Sequence, residues 1–158
     1  MFKDTWIINI YAPSGAEKRQ EIETFFAQEL AYLLPVCSQE MLLAGDSNCV
    51  TSPSDCPGKP NFSKALSSKI TGFALHDVCE TLFQGPPYTH YTNDGATRID
   101  IIYLTDPLQK RKQGAETVVA RFSDHFAVTV RLNYPHETIP RKSRLWRMNI
   151  TLLEDKIS

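Results

Sequence analysis

Apolar and polar residues along this chain follow two periods, one typical of strands and the other typical of helices. The segment from Trp6 to Tyr11 is β-branched and aromatic and is followed by Pro13, which predicts a mostly buried strand that enters a loop. Between residue 16 and about residue 34, apolar positions recur at helical spacing until Pro35 ends the pattern. This second segment predicts an amphipathic helix lying on a sheet.

The alternation of strands and helices continues through the middle of the chain. Residues 41–44 predict a buried strand that ends at a sheet rim, and residues 51–60 have the Ser, Pro and Asp content of a loop. Residues 62–71 predict a second helix, which Gly72 ends before a strand at residues 73–78. This order of elements predicts an α/β fold.

The remaining predicted elements are mainly strands. Residues 99–104 and 126–132 have the composition of strong strands, and a shorter strand is expected at residues 117–121. The basic residues Lys110 to Lys112, within residues 109–113, predict a solvated hairpin tip.

Length and composition fit one folded unit followed by a linker. A chain of 158 residues with 42% hydrophobic and 22% charged residues is long enough for one domain with a core. Because the composition changes after Tyr134, we interpret residues 1–134 as that domain and residues 135–158 as an exit linker with a short helix at residues 149–156.

Charge and cysteine content exclude several classes of protein. The net charge of −1 shows no global excess of positive charge, so DNA binding would depend on a local surface. The four cysteines form no C-x-x-C pair and have no His at zinc-finger spacing, which favours buried free thiols. No segment has the roughly 18 apolar residues of a membrane helix, so we expect no membrane partner and a nuclear or cytoplasmic location.

Polar motifs stand where predicted strands end or begin. Asp46 and Asn48 follow a strand, where the carboxylate can align a water and the amide can bond a phosphoryl oxygen, although the segment alone also fits a simple turn. Asp100 interrupts an apolar run, and a partly buried carboxylate needs a donor or a metal. Asp124 and His125 directly precede the last strand.

These motifs meet on one rim of the sheet if the later strands run opposite to the strands that end at Tyr11 and Asp46. An Asp beside His125 would then orient and charge the imidazole. Taken alone, Asp124 also fits a turn cap, and His125 also fits a half-buried residue bonded to the backbone. We expect structural or exposed roles for the other histidines, which are His76, His90 and His136.

Four motifs occur in a fixed order: Asn9-Ile10-Tyr11-Ala12-Pro13, Gly45-Asp46-Ser47-Asn48, Thr97-Arg98-Ile99-Asp100 and Ser123-Asp124-His125. In this order they resemble the endonuclease/exonuclease/phosphatase superfamily. The resemblance extends from about Trp6 to Leu132. Tyr88-Thr89 and the linker segment Leu145-Trp146-Arg147 are similar to LINE-type retrotransposon endonucleases. The resemblance implies the C-terminal half of a two-sheet, four-layer α/β sandwich of the DNase I type, with the N-terminal half missing.

The resemblance also implies metal-assisted hydrolysis of a DNA phosphodiester, with Mg²⁺, or alternatively Mn²⁺, as the cofactor. Asp46 would orient the attacking water, and Asn48 and Tyr11 would contact the phosphate or its leaving side. His125, with Asp100 behind it, would hydrogen-bond the scissile phosphoryl oxygen.

Further roles follow from the same resemblance. Asp124 would lie near the metal, and Ser123 and Thr89 would touch the substrate backbone. Arg98 would support the substrate-binding loop, and Ser14 stands where the family commonly has Asn.

The sequence departs from the superfamily in one respect that affects activity. The family takes an early Asn and a Glu metal ligand from a preceding half of roughly a hundred residues, and no residue before Trp6 supplies them. We expect the helix residues Glu17, Glu21 and Glu23 to face solvent instead. The chain alone is therefore expected to be weakly active or inactive, and to self-associate through the uncovered sheet face.

Three functions remain open at this point. The first is a DNA endonuclease that nicks a retrotransposon target, or an inactive fragment of one, and the linker favours it. The second is a phosphoesterase of the same superfamily that acts on small molecules. The third is a non-catalytic remnant that binds DNA through Arg98, Lys110 to Lys112 and Arg121.

Overall fold

The computed structural model describes residues 5–34, 40–59, 61–80, 83–85, 87–93 and 95–133. Its strands are β1 (Trp6–Tyr11), β2 (Met41–Asp46), β3 (His76–Asp77), β4 (Phe83–Gln84), β5 (His90–Thr92), β6 (Gly95–Thr97), β7 (Asp100–Leu104), β8 (Lys112–Val118) and β9 (Ala127–Leu132). Its α-helices are α1 (Arg19–Thr24), α2 (Leu30–Leu33), α3 (Lys64–Gly72) and α4 (Asp106–Gln109).

The centre of the fold is a four-stranded sheet with the order β1-β2-β7-β3. β1 runs parallel to β2, whereas β7 runs antiparallel to both of its neighbours, β2 and β3. A second sheet has the order β4-β8-β9, and β5 pairs with β6 in a separate hairpin. The start of β7 therefore lies at the rim where β1 and β2 end.

Each face of the central sheet carries its own apolar core. On one face, Leu43 and Ile101 pack with Phe26 and the other buried residues of the helices. On the opposite face, Ile102 packs with Val130 and its neighbours in the second sheet. This alternation of sides along β2 and β7 follows from the two-residue period of a strand. The described residues thus form a helical layer and two sheets, an arrangement of the predicted α/β sandwich class.

The first predicted helix is present, but its geometry changes along its length. A 3-10 turn at Ala16–Lys18 leads into α1, and a π-helical stretch at Phe25–Glu29 joins α1 to α2. Ile22, Phe26 and Leu30 are buried at four-residue spacing, so the predicted inward stripe is confirmed.

Two strand predictions need correction. Between residues 73 and 78 only His76–Asp77 is strand, because Phe73 caps α3 and Ala74 has a left-handed φ of 48°. The short strand predicted at residues 117–121 instead spans Lys112–Val118, where it pairs along its length with β9.

The basic stretch at residues 110–112 is not a solvated hairpin tip. The Arg111 guanidinium donates to the buried carboxylate of Glu40 at 2.9 Å and 3.0 Å. Lys112 is the first residue of β8, and its Nζ donates to the Val78 carbonyl at 2.8 Å. The sequence alone shows three adjacent basic residues. It does not show the acceptors of Arg111 and Lys112, which are Glu40 and the Val78 carbonyl and lie far away along the chain.

Glu23 does not face solvent, contrary to the sequence-based expectation. Its side chain is half-buried, and Oε2 accepts a hydrogen bond from the Ala65 backbone N–H at 3.0 Å. The unpaired N–H groups in the first turn of α3 need acceptors, and Ser63 Oγ supplies another by accepting from the Leu66 N–H at 3.1 Å. Glu17 and Glu21 are exposed as expected.

Three of the four cysteines lie within the described part of the chain, as free thiols. Cys49 is buried, whereas Cys56 and Cys79 are half-buried. Burial raises the pKa of the Cys49 thiol to about 12, so this group stays protonated and unreactive at neutral pH. Cys37 and the predicted exit linker at residues 135–158, with its short helix, lie outside the described residues. Among the described helices, none is long and apolar enough to span a bilayer.

Gly45 permits the close approach of β1 and β2. It is the fifth residue of β2, its φ is 132°, and it pairs with Ile10. A Cβ at this position would lie 1.9 Å from the Ile10 carbonyl oxygen. Only glycine fits here without a shift of the backbone.

We expect Gly45→Ala to destabilise the fold by at least about 2 kcal/mol, because it adds both an unfavourable φ and a backbone clash. Gly72→Ala is the matched control, since a Cβ added there, at the end of α3, would meet no atom within 4 Å. The control should be neutral or stabilising by up to about 1 kcal/mol. Urea unfolding followed by circular dichroism measures both, and equal midpoints would contradict the assignment.

Candidate active site

The predicted polar residues come together at one rim of the central sheet. Parallel pairing sets Tyr11 beside Asp46 at the ends of β1 and β2, and antiparallel pairing sets Asp46 opposite Asp100 at the start of β7. His125 joins the same group through its bond to Asp100. β7 therefore runs in the direction that the prediction requires, whereas His125 reaches the rim from the segment before β9, a strand of the second sheet.

The turn after β2 fixes the carboxylate and the amide. Asn48 has a left-handed φ of 47°, which asparagine tolerates, and its backbone N–H donates to Asp46 Oδ1 at 2.9 Å. Asn48 Nδ2 also donates to the Ala12 carbonyl at 2.8 Å, which ties the turn to the loop after β1. Ser47 is fully buried, and its N–H donates to the Ile99 carbonyl at 2.8 Å. The turn is therefore anchored to both neighbouring strands.

The environment of Asp46 disfavours its charged form. Burial raises the pKa of the Asp46 carboxyl above its usual value, and the nearby Asp100 carboxylate adds to this effect. The hydrogen bond from the Asn48 backbone opposes the rise, as do His125 and His90. A carboxylate held in this way gains free energy by accepting a proton or a cation.

His125 and Asp100 form a charge-assisted pair. The distance from His125 Nδ1 to Asp100 Oδ2 is 2.9 Å, and both side chains are half-buried. A carboxylate in this position fixes the ring orientation, favours the proton on Nδ1 and leaves Nε2 for a substrate or an ion.

Thr89 positions this pair from behind. Its side chain is fully buried, and Oγ1 accepts hydrogen bonds from the backbone N–H groups of Ile99 at 3.2 Å and Asp100 at 3.0 Å. The Thr89 carbonyl accepts from Phe126 N–H at 2.6 Å, next to His125. Its burial is incompatible with the direct substrate contact predicted from the sequence, so Thr89 is a positioning residue.

Arg98 is the centre of a buried ion cluster below the rim. Its Nη2 donates to Asp55 Oδ1 and its Nη1 donates to Asp77 Oδ2, both at 2.6 Å. The side chains are 13%, 3% and 11% exposed for Arg98, Asp55 and Asp77, so the pairs are poorly screened by solvent. The guanidinium of Arg98 is therefore directed to these two carboxylates, and it ties the segment before β7 to Asp55 and to β3.

The remaining predicted residues are on the surface. Tyr11 is 73% exposed at the end of β1, and Ser14 is exposed on the following loop. Ser123 is also exposed, and its Oγ accepts a hydrogen bond from the His125 N–H at 3.0 Å. Ser123 therefore shapes the turn that presents His125.

His90 is a site residue that the sequence reasoning missed. Its ring centroid is 4.5 Å from that of His125, and its Nε2 is 3.5 Å from Asp124 Oδ2. An isolated antiparallel bridge between His90 and His125 brings the two rings together. Only knowledge that these two distant segments pair could have revealed this contact. His76 lies at the surface, as expected, and is paired with Asp106, a partner that was not predicted from the sequence.

Among the residues that the structure describes, two sets of side chains have ligand atoms within 4.8 Å of one another. The first consists of Asp46, Asp100 and His125, and the second consists of His90, Asp124 and His125. The first set is rich in oxygen donors and the second in nitrogen donors. Both could hold a divalent ion, and His125 belongs to both.

Comparison with known proteins relates the chain to a transposon protein. No protein-family model matches the chain. The chain is 32% identical, over 95% of its length, to a Xenopus laevis protein described as the transposon TX1 uncharacterized 149 kDa protein, of which it spans 12%.

Two solved structures with a similar fold are nucleic-acid enzymes by their descriptions. An AP endonuclease from Archaeoglobus fulgidus has a TM-score of 0.67 at 22% identity, over 81% of this chain and 61% of that one. The 3′ phosphatase NExo from Neisseria, bound to a product DNA hairpin, has a TM-score of 0.61 at 18% identity, with the same coverage. The predicted α/β sandwich fold and the resemblance to transposon proteins are therefore confirmed, over part of the length of each relative.

We expect Asp46→Asn to increase the free energy of unfolding at neutral pH, because it removes a carboxylate whose pKa is raised in the folded state. The gain should shrink as the pH falls through that raised pKa and should vanish below 3.8, the usual aspartate value, where folded and unfolded chains are both protonated. Urea titrations between pH 3.5 and 7.5 (about the range that brackets this carboxyl titration) provide the measurement.

Asp55→Asn is the contrasting variant, because Asp55 is buried with a cationic partner. It should lower stability at neutral pH by leaving Arg98 partly uncompensated. If Asp46→Asn also lowers the free energy of unfolding, the attractive contacts of the Asp46 carboxylate outweigh the cost of its burial, and the prediction is wrong.

Proposed function

Since this chain has the fold of the endonuclease/exonuclease/phosphatase superfamily, we propose that its rim hydrolyses phosphodiester bonds in DNA with the help of a divalent metal ion. We expect the rate of the chain alone to be low, because the glutamate metal ligand of the family is not among the described residues of the rim. The observation that carries this proposal is the convergence of Asp46 and Asn48 with the Asp100–His125 pair. The sequence relationship to a transposon protein favours nicking of a target site as the biological task.

In this proposal Asp46 accepts the proton of the attacking water. Its raised pKa makes it a stronger base than an ordinary aspartate. Oδ1 is bonded to the Asn48 N–H, so Oδ2 is the oxygen that accepts the proton. The turn holds the carboxylate in one orientation, so the water is aligned before the reaction begins.

Asn48 and His125 stabilise the negative charge of the phosphoryl group. One hydrogen of the Asn48 amide is used by the Ala12 carbonyl, and the second remains for a phosphoryl oxygen. His125 offers Nε2, while Asp100 on Nδ1 supports the positive charge of a doubly protonated ring. Tyr11 is exposed next to Asp46 and can reach the leaving side.

The donor set fits Mg²⁺, which binds through one or two carboxylates together with waters and substrate phosphate. Asp100 Oδ1, which is not the oxygen bonded to His125, is such a donor, and Asp124 adds an exposed carboxylate beside His125. When bound, the ion would stabilise the charge that develops on the phosphate and on the leaving oxygen.

A nucleic-acid substrate explains one feature that a small phosphoester would not. Phe122 is 95% exposed and lies between Arg121 and Ser123, immediately before the motif that presents His125. An exposed aromatic ring beside a cation is suited to stack on bases and to contact the backbone. The non-catalytic function depends on a basic surface that includes Arg98 and Arg111. Both residues are bonded to carboxylates, so they add little positive charge to that surface.

A plasmid-nicking assay with Mg²⁺ tests the proposed function. Asp46→Asn should lower the nicking rate by about 10²- to 10⁴-fold, the usual contribution of a positioned base, and His125→Gln should lower it by about 10²- to 10³-fold. His76→Gln is the control, because it removes a histidine that is also paired with an aspartate, but on β3.

Each outcome of this assay discriminates between the three functions. Wild-type nicking that survives both site substitutions would refute the assignment of the site. Salt-dependent DNA binding without any cleavage would favour an inactive endonuclease fragment or the non-catalytic remnant, and release of phosphate from small phosphoesters without nicking would favour the second enzyme class.

We further propose that β1 mediates self-association. β1 is an edge strand of the central sheet, and the side chains of Trp6 and Ile7, which point to opposite faces of the strand, are 52% and 73% exposed. Exposed apolar edge strands pair readily with a second copy.

Sedimentation velocity tests this association, and we expect Ile7→Lys to shift the wild-type dimer or larger species toward monomer. Tyr32→Lys is the control, because Tyr32 is also a large hydrophobic side chain and is 90% exposed, but it lies on α2 and not on the edge strand. A wild-type chain that stays monomeric at high concentration would overturn the proposal.

A further inference from the structure

The backbone places His90 and His125 in close register. The Tyr91 N–H donates to the Asp124 carbonyl at 3.1 Å, and the Phe126 N–H donates to the Thr89 carbonyl at 2.6 Å. These two bonds flank the bridge between His90 and His125, which makes the histidines a non-hydrogen-bonded antiparallel pair. Side chains in such pairs stand closest to each other, which explains the 4.5 Å between the two ring centroids.

A carboxylate completes this group from the adjoining residue. Asp124 Oδ2 is 3.5 Å from His90 Nε2, and one ligand atom from each of His90, Asp124 and His125 lies within 4.8 Å of the other two. The side chains are 24%, 68% and 32% exposed in that order, so an ion from solvent can reach all three.

We propose that His90, Asp124 and His125 form a binding site for Zn²⁺ or a chemically similar transition-metal ion, which shares Asp124 with the oxygen donors proposed for Mg²⁺ and adds two imidazoles to it. Imidazole nitrogens suit zinc, whereas Mg²⁺ prefers oxygen ligands. Two histidines and one carboxylate are also a ligand set that zinc accepts with a fourth position open.

The surroundings of His125 strengthen this assignment. A histidine that binds a metal usually donates its other ring N–H to a carboxylate, which fixes the tautomer and increases the basicity of the coordinating nitrogen. Asp100 Oδ2 occupies that position, 2.9 Å from His125 Nδ1. Nε2 is therefore the coordinating atom of His125.

The site has a consequence for catalysis, and this part of the inference rests on the proposed function. A ring whose Nε2 coordinates an ion cannot donate a proton from that atom to a phosphoryl oxygen. Zinc bound to His90, Asp124 and His125 therefore inhibits Mg²⁺-dependent hydrolysis by removing His125 from the phosphate.

Titration calorimetry of the purified chain with zinc chloride tests the site without reference to activity. We expect His90→Gln to weaken zinc binding by at least about tenfold, the lower end of the loss caused by removing even the outer partner of a metal-bound histidine. Asp100→Asn should weaken it within the range of about 10- to 100-fold for the same reason. His76→Gln, the matched control on β3, should leave the affinity unchanged.

A second substitution guards against misfolding of the His90 variant. Asp124→Asn alters a side chain that is 68% exposed, and it should also weaken zinc binding while leaving the circular dichroism spectrum unchanged. Zinc affinity equal to wild type in both His90→Gln and Asp124→Asn would overturn the proposed site.

Nicking assays with added zinc chloride then test the regulatory consequence. Wild type and His76→Gln should be inhibited at the zinc concentration that saturates the calorimetric site, and the inhibition curve of His90→Gln should shift to at least about tenfold higher zinc. Equal inhibition of both variants would overturn the regulatory part. A chain that binds zinc but does not nick DNA refutes the proposed function and leaves the zinc site supported.

Discussion

The register of β7 on β2 is the constraint on which the site depends. Asp46 is the last residue of β2 and Asp100 is the first residue of β7, and antiparallel pairing sets them directly opposite each other. A shift of one residue would turn Asp100 and the apolar residues after it to the other faces of the sheet, and both cores would lose their contacts. The packing that stabilises the fold therefore also fixes the separation of the two carboxylates.

Buried polar contacts, more than apolar packing, hold the segment that enters β7. Arg98 is bonded to Asp55 in the loop after β2 and to Asp77 in β3, and its backbone N–H donates to the Asp55 carbonyl at 2.8 Å. Two carboxylates and one guanidinium, all largely removed from water, are tolerated only while all of them are paired. This requirement fixes the path of the chain immediately before Asp100.

The sequence predicts most elements of the fold and most of the rim, because these follow from local patterns. Alternating and four-residue periods locate β1, β2, β7, β9 and the first helix, and motif order locates Asp46, Asp100 and His125. Apart from the bounds of β3 and β8, the errors involve partners that are distant along the chain. Local pattern predicts a solvated tip for Arg111 because its acceptor, Glu40, is remote, and it shows no partner for His90 because the pairing with residue 125 is not encoded locally.

His125 connects the two proposed chemistries of the rim. Its Nδ1 is already bonded to Asp100, so it has one remaining nitrogen for either a phosphoryl oxygen or a metal ion. Oxygen donors on one side attract a hard cation that assists hydrolysis, and the second imidazole on the other side attracts a softer one. Because one nitrogen cannot serve both partners at once, the proposed zinc site, which the backbone bridge between His90 and His125 creates, and the proposed phosphate contact of His125 exclude each other.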